Sequence, residues 1–250
     1  MTNESVSNPL RDLFNQHRGR FISKWDHYFD VYHRYLSRFR GTECTILEIG
    51  VFHGGSLQLW REYFGPGARI VGVDINPECA GIVEPGCEIV IGSQSDRGFL
   101  RDLRNRLGPV DVLIDDGGHR MEQQVITFQE LFGAVKSNGV YIAEDLHTSY
   151  WREYGGGYRN PASFIEFVKA HIDQLNAWYS RDAGSFVPDD FTRSVPSMHF
   201  HDSMLVIEKQ IKPPPQVLIK GTPSYEDQNI ESMRIWNEGI NAHLKTLGKF

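Results

Sequence analysis

Cysteine is scarce in this chain: Cys44, Cys79 and Cys87 are odd in number, and no Cys-x-x-Cys pair occurs. That excludes a disulfide framework and leaves reduced thiols as the simplest reading. No apolar run approaches the roughly 18–20 residues that cross a bilayer. The opening MTNESVSNPLRDLF also lacks the charged-then-apolar layout of a leader. A soluble, cytoplasmic protein without a membrane partner is expected. Positive charge is not in excess either; a net charge of −6 and a pI near 5.9 argue against a general nucleic-acid binder. There is no internal repeat. Hydrophobic content of 40% with 23% charged residues is ordinary for a globular chain. One domain over 1–250 is expected, with 1–43 as an N-terminal helical lid segment, 44–210 as the core and 211–250 as a C-terminal extension.

What is present centres on Val110 to Tyr150, VDVLIDDGGHRMEQQVITFQELFGAVKSNGVYIAEDLHTSY. Val110–Ile114 and Val140–Ala143 are short, apolar and β-rich, as buried parallel strands are. Between them, residues 122–135 carry helical periodicity, and Ser137-Asn138-Gly139 is expected to stop that helix. A βαβ unit delivers both strand ends to one edge of the sheet. Neighbouring strands lie about 5 Å apart, so Asp115-Asp116 and Glu144-Asp145 should meet there, with His119 beside them. Such a concentration of carboxylates needs a cation, ligand donors or shared protons to offset it. It is the expected active site, and carboxylates without cysteine suit Mg²⁺, Mn²⁺ or Ca²⁺ rather than zinc.

Further strands are expected at Thr45–Gly50, Arg69–Asp74 and Cys87–Ile91, with helices to about Tyr63 and over Arg97–Leu107. Ser197–Phe200 and Met204–Glu208 read as an antiparallel hairpin at the end of the sheet, and helices are expected over Phe164–Tyr179 and 225–247. Alternation at this pace specifies an α/β fold, a doubly wound Rossmann-like sheet with helices on both faces. Tyr28, Tyr32, Tyr35 and Phe39 recur at helical spacing. The segment from Lys24 to Tyr28 either packs with that helix or forms part of a lid. His147 to Ser163 is a long aromatic loop in which Tyr150 and Trp151 could face a sugar ring, with Gly155-Gly156-Gly157 as its hinge. His199 and His201 share one strand face and are read as sheet surface.

The turn Glu48-Ile49-Gly50-Val51-Phe52-His53-Gly54-Gly55-Ser56 sits at the switch point where such sheets bind ligands. It does not match Gly-x-Gly-x-x-Gly, and Glu48 would repel a pyrophosphate. Asp74 closes the second strand, placed to take the hydroxyls of a ribose. Together with GSQSD, IDDGGH and AEDLHTSYW, these residues resemble the class I S-adenosylmethionine-dependent methyltransferases. Within them, the likeness is to the metal-dependent sugar O-methyltransferases of macrolide and related natural-product or surface-polysaccharide pathways. It covers roughly Lys24 to Lys209.

The resemblance implies a seven-stranded sheet with an antiparallel last strand and S-adenosylmethionine as cofactor. Glu48, Gly50, Phe52, Gly54 and Ser56 would form the methionine and ribose side, with Asp74 on the ribose. Ser93 and Gln94 would stand beside the adenine, and Asp115 would join this cofactor-binding set. Asp116, Glu144 and Asp145 would hold Mg²⁺ or Mn²⁺, Asp116 also counting among the catalytic residues. His119 would be the general base, drawing the proton from a sugar hydroxyl as it attacks the methyl group. Trp25, His27, Tyr28, His147, Tyr150 and Trp151 would face a sugar-containing acceptor. Macrolide-pathway relatives often carry an extra N-terminal domain, and no counterpart of it is expected here. A homo-oligomer is compatible with the sequence.

Other readings have less support. A nicotinamide-dependent dehydrogenase would need the three-glycine fingerprint and a Tyr-x-x-x-Lys pair. A non-catalytic cofactor-binding regulatory subunit would not need Asp116, His119, Glu144 and Asp145 intact. A metal-independent small-molecule methyltransferase, or a cephalosporin-hydroxylase-like enzyme, remains open on the same scaffold.

Overall fold

The computed structural model describes residues 7–182, 184–226 and 228–246. Apolar runs of five or six residues set most of the sheet: β1 (Thr45–Ile49), β2 (Arg69–Asp74), β3 (Cys87–Ile91) and β4 (Val110–Asp115). The longer β5 (Val135–Ala143) follows, then the hairpin β6 (Ser197–His201) and β7 (Met204–Glu208). The strand order is β3-β2-β1-β4-β5-β7-β6. The first five strands are parallel, and β7 enters antiparallel between β5 and β6. The order reverses between β1 and β4, which opens a crevice beyond their carboxyl ends.

The helices are α1 (Pro9–Gln16), α2 (Tyr28–Leu36), α3 (Gly55–Phe64), α4 (Arg97–Leu107), α5 (Met121–Leu131), α6 (Phe164–Leu175), α7 (Asp190–Ser194) and α8 (Gln228–Thr246). Each strand splits its side chains between two faces by its two-residue period. Ile46, Ile70 and Val112 pack with Tyr32, Leu36 and Trp60 of α2 and α3. Their successors Leu47, Val71 and Leu113 pack with Leu103, Phe128 and Val168 of α4, α5 and α6. The aromatic stripe of α2 is therefore core. Local chemistry fixes the helix ends: the Asp96 side chain accepts the amides of Gly98 and Phe99, and Gly108 stops α4 at φ +70°.

One boundary differs from expectation. The apolar periodicity of α5 runs on past Leu131, but the chain makes a single 3₁₀ turn over Phe132–Ala134 and then enters β5. Ser137-Asn138-Gly139 lies inside that strand rather than stopping a helix. The ladder with β4 is irregular between Val110 and Val112, and a Cβ on Gly139 would stand 2.6 Å from the Asp111 carbonyl oxygen. Close backbone approach at an irregular ladder explains a glycine within a strand. Among the described residues no helix is long and apolar enough to cross a membrane.

Candidate active site

Pairing at the ends of β4 and β5 brings the acids together. Asp115 lies opposite Ile49 on one side and Ala143 on the other. The ladder extends one step further, the Asp116 amide donating to Ile49 at 2.9 Å and the Glu144 amide to Asp115 at 3.0 Å. Asp116 and Glu144 thus leave the sheet side by side. The chain then turns sharply at single residues: His119 has φ +52° and Asp145 φ +55°. Left-handed backbone is uncommon outside glycine and costs about 1–3 kcal/mol. At Asp145 it swings the side chain back over the strand ends.

A cavity of about 430 Å³ occupies the crevice, within the range of small-molecule sites. Gly50, Phe52, Asp74, Ser93 and Gln94 line it on one side, and Asp116, His119 and Asp145 on the other. Gly50 has φ +100°, and a Cβ there would meet the Asp116 carbonyl oxygen at 2.0 Å, so only glycine fits. Asp74 has largely committed its carboxylate. Oδ2 accepts the amides of Val51 and Phe52, each at 2.9 Å, and Oδ1 accepts that of Asn76 at 2.8 Å. A carboxylate has about four acceptor positions, so these amides leave Asp74 little free capacity toward the cavity.

Four residues expected at the cofactor, Glu48, Gly54, Ser56 and Asp115, stand behind the cavity wall rather than on it. Glu48 is fully buried and accepts from Ser56 Oγ at 2.8 Å and Trp60 Nε1 at 3.0 Å, tying β1 to α3. Burial pushes its carboxyl up to about 7, against the opposing charge of Lys24. Asp115 is also pushed up to about 7 by burial, and Gln94 Nε2 donates to it at 3.0 Å. The other end of Gln94 accepts the Gly118 amide at 2.8 Å. Asp115 and Gln94 therefore shape the Asp116–His119 loop from behind.

A second cavity, about 170 Å³, adjoins the first and shares Ser23, Asp116 and Asp145 with it. Lys24, Trp25, Tyr28 and Glu144 close it. Here the sequence reading missed the central contact. Lys24 Nζ forms an ion pair with Asp116 Oδ2 and donates to Glu144 Oε1 at 3.0 Å and Oε2 at 3.1 Å. Tyr32 donates to the same Glu144 carboxylate. Burial opposes the Lys24 charge, but Asp116 and then Glu144 outweigh it and raise its pKa. Burial, then Asp116, pushes Glu144 up, with Lys24 and Tyr32 acting in the other direction. No local pattern could have shown this pair, because its partners lie 92 and 120 residues away.

Asp116, His119 and Asp145 form the group that converges, each offering one ligand atom with all three atoms within 4.8 Å of one another. His119 Nε2 is 3.7 Å from Asp116 Oδ1 and 3.4 Å from Asp145 Oδ2, while its Nδ1 is buried without a partner. Glu144, expected as a third ligand, faces Lys24 instead. Two carboxylates beside an imidazole fit a hard divalent cation, and the Lys24 ammonium shows that the Asp116–Glu144 side also accepts positive charge.

The residues expected at an acceptor divide. Trp25, His147 and Trp151 form a row, with ring centroids 5.9 Å and 4.7 Å apart. Tyr28 is buried and bonds Asp145. His27 is held on the Asp202 carbonyl at 3.1 Å. Tyr150 is exposed and lines neither cavity. Gly155-Gly156-Gly157 is not an open hinge, since the amides of Gly156 and Gly157 bond back to Trp151 and Ser149 at 2.9 and 2.8 Å. His199 and His201, read as sheet surface, are instead half-buried beneath α2, where both rings pack on Tyr35 and His201 bonds its hydroxyl; His199 also bonds Ser197.

No family model matches the chain. It is 37% identical over 193 residues to 8-demethyl-8-alpha-L-rhamnosyl tetracenomycin-C 2'-O-methyltransferase of Streptomyces olivaceus, covering 73% of this chain and 50% of that protein. It is 32% identical over 211 residues to demethylmacrocin O-methyltransferase of Streptomyces fradiae, covering 79% and 53%. Among solved structures, MycE methyltransferase from the mycinamycin biosynthetic pathway, in complex with Mg and SAH, superposes with a TM-score of 0.75 at 26% identity, covering 90% of this chain and 59% of that one. The chain spans about half the length of the curated relatives it matches.

Proposed function

This chain belongs to the S-adenosylmethionine-dependent methyltransferases, in the branch of those sugar O-methyltransferases, and from that membership we propose that it methylates a hydroxyl of a sugar-bearing small molecule with the help of a divalent cation. The observation that carries this reading is the junction of two cavities at Asp116 and Asp145. One has the size and the glycine-walled loop for the methyl donor. The other is lined by Trp25, the first ring of the Trp25–His147–Trp151 row, and such rings suit the apolar face of a sugar.

In this reading Gly50, Phe52, Asp74, Ser93 and Gln94 surround S-adenosylmethionine. Asp116 and Asp145 hold Mg²⁺ or Mn²⁺, with Glu144 available once it is free of Lys24. When bound, such a cation acidifies an acceptor hydroxyl and fixes its orientation. His119 lies between the two carboxylates and takes the hydroxyl proton on Nε2 as the oxygen approaches the methyl group. The donor brings its own leaving group, so the protein's part is to align the two reactants and move one proton. We further take the chain as one methyltransferase unit acting in the cytoplasm, in keeping with three free cysteines.

Calorimetry with S-adenosylhomocysteine, followed by mass spectrometry of methyl transfer to a panel of glycosylated acceptors with and without EDTA, tests the reading. Binding of S-adenosylhomocysteine and metal-dependent transfer to a sugar hydroxyl are expected. Absence of that binding, or undiminished transfer in EDTA, overturns it.

A further inference from the structure

Residues Phe21–His27 cross the mouth of both cavities without regular secondary structure. At one end this strap passes over the start of α3, where a Cβ on Gly55 would lie 2.4 Å from the Phe21 carbonyl oxygen. At the other it runs into α2. Phe21 and Trp25 are 62% and 55% exposed, whereas the Lys24 side chain between them is only 3% exposed. Ile22 packs on the core, Asp26 pairs with Arg11 and His27 bonds the Asp202 carbonyl, and Lys24 is the strap's one latch on the Asp116–Glu144 pair.

Asp116 is the shared member of two cation positions. Its Oδ2 holds Lys24, and its Oδ1 faces His119 and Asp145. Asp116, Glu144 and Asp145 carry a formal charge of −3, which Lys24 reduces to −2 and a divalent ion in its place would reduce to −1. Two cations on Asp116 would repel each other at contact distance. With Lys24 latched, the acceptor-side cavity is also only about 170 Å³.

We propose that Lys24 is a tethered competitor for the divalent cation: its ammonium holds the Asp116–Glu144 position, the metal displaces it, and the freed Phe21–His27 strap enlarges the acceptor pocket. Lys24 is a positioning residue in this scheme, and cation binding precedes acceptor entry. The proposal rests on the metal-assisted reading above for the cation and for the acceptor; Mn²⁺ binding without a change in the strap would overturn the proposal and leave that reading standing. The linkage between cation and strap is a property of the protein alone.

The test uses Mn²⁺ and the full chain, without cofactor or acceptor. Hydrogen–deuterium exchange of the wild type should speed up across residues 20–28 on adding Mn²⁺, while the core strands do not change. Calorimetry should show Lys24→Met binding Mn²⁺ about tenfold or more tightly than wild type, because a site closed most of the time binds in proportion to the fraction open. Lys24→Arg, which keeps the charge, should restore the weaker affinity. The strap of Lys24→Met should exchange at the fast rate with or without metal. Unchanged exchange in the Mn²⁺-loaded wild type overturns the proposal, and so does equal or weaker Mn²⁺ binding by Lys24→Met. The wild-type measurement decides even if the variant does not fold. None of these readings uses methyl transfer, so they stand or fall separately from the assigned activity.

Discussion

The Tyr28 hydroxyl donates to Asp145 Oδ1 at 2.8 Å and accepts the Asp145 backbone amide at 3.2 Å, so one phenol grips both ends of a single residue. That residue is one of the two with left-handed backbone on the acid side of the cavity. Tyr28→Phe should lower stability by about 1–3 kcal/mol, the usual cost of a lost hydrogen bond to a charged group. It should also weaken Mn²⁺ binding about tenfold, as loss of a partner behind a ligand commonly does. Denaturant unfolding and calorimetry measure the two effects. Wild-type metal affinity in this variant would mean that Asp145 holds its place unaided.

His119 is expected to act on the proton rather than on binding. His119→Ala should keep its affinity for S-adenosylhomocysteine within a few-fold and lose about 10²–10⁴ in the rate of methyl transfer, the span of a general base. Single-turnover kinetics with saturating cofactor separates the two. A near-normal rate would remove the base from His119.

Gly50 is a steric prediction. An added methyl group would stand 2.0 Å from the Asp116 carbonyl oxygen in a residue at φ +100°. Gly50→Ala should cost at least about 3 kcal/mol of stability, strain and clash together. Where the variant still folds, it should lose affinity for S-adenosylhomocysteine and for Mn²⁺ alike. Loss of only one would show that the two loops can move apart.

Glu48 predicts a pH dependence. Its folded pKa, near 7, lies above the ordinary glutamate value of about 4.5. The folded protein therefore binds this proton more tightly than the unfolded chain does. The associated stability is fully present below the unfolded value and is lost as pH rises through the folded one. Glu48→Gln keeps an acceptor for Trp60 and a donor toward Ser56 but cannot ionise. The unfolding free energy of wild type relative to Glu48→Gln should fall by about 2–3 kcal/mol between pH 4 and pH 8. Parallel stability curves would show that Glu48 ionises without penalty.

Much of this fold is legible in the sequence because its strands declare themselves locally. Arg69–Asp74, Cys87–Ile91 and Arg97–Leu107 lie where apolar runs and capping residues place them. The βαβ rule then brings Asp116 to Glu144 from the sequence alone. What could not be read is where each carboxylate points. Glu144 follows a strand end as a ligand would, yet it turns to Lys24 and Tyr32, far away in the chain. Glu48 and Asp115 carry the right chemistry for a cofactor but are spent on Trp60, Ser56 and Gln94 behind the wall. The helical period past Leu131 likewise says nothing of the partner strand that draws Val135 into the sheet.

Phe52, His119 and Asp145, each a non-glycine residue held at positive φ, all face the larger cavity. Their side chains are therefore aimed before any ligand arrives, by backbone that would relax elsewhere if the sheet released it. A glycine at Phe52 or His119 would ease the chain while removing part of the cavity wall, whereas at Asp145 it would also forfeit the Tyr28 hydrogen bond. Selection for heat resistance alone would accordingly act first on Phe52 and His119, and thermostable variants that keep the cavity intact should draw their gains from elsewhere.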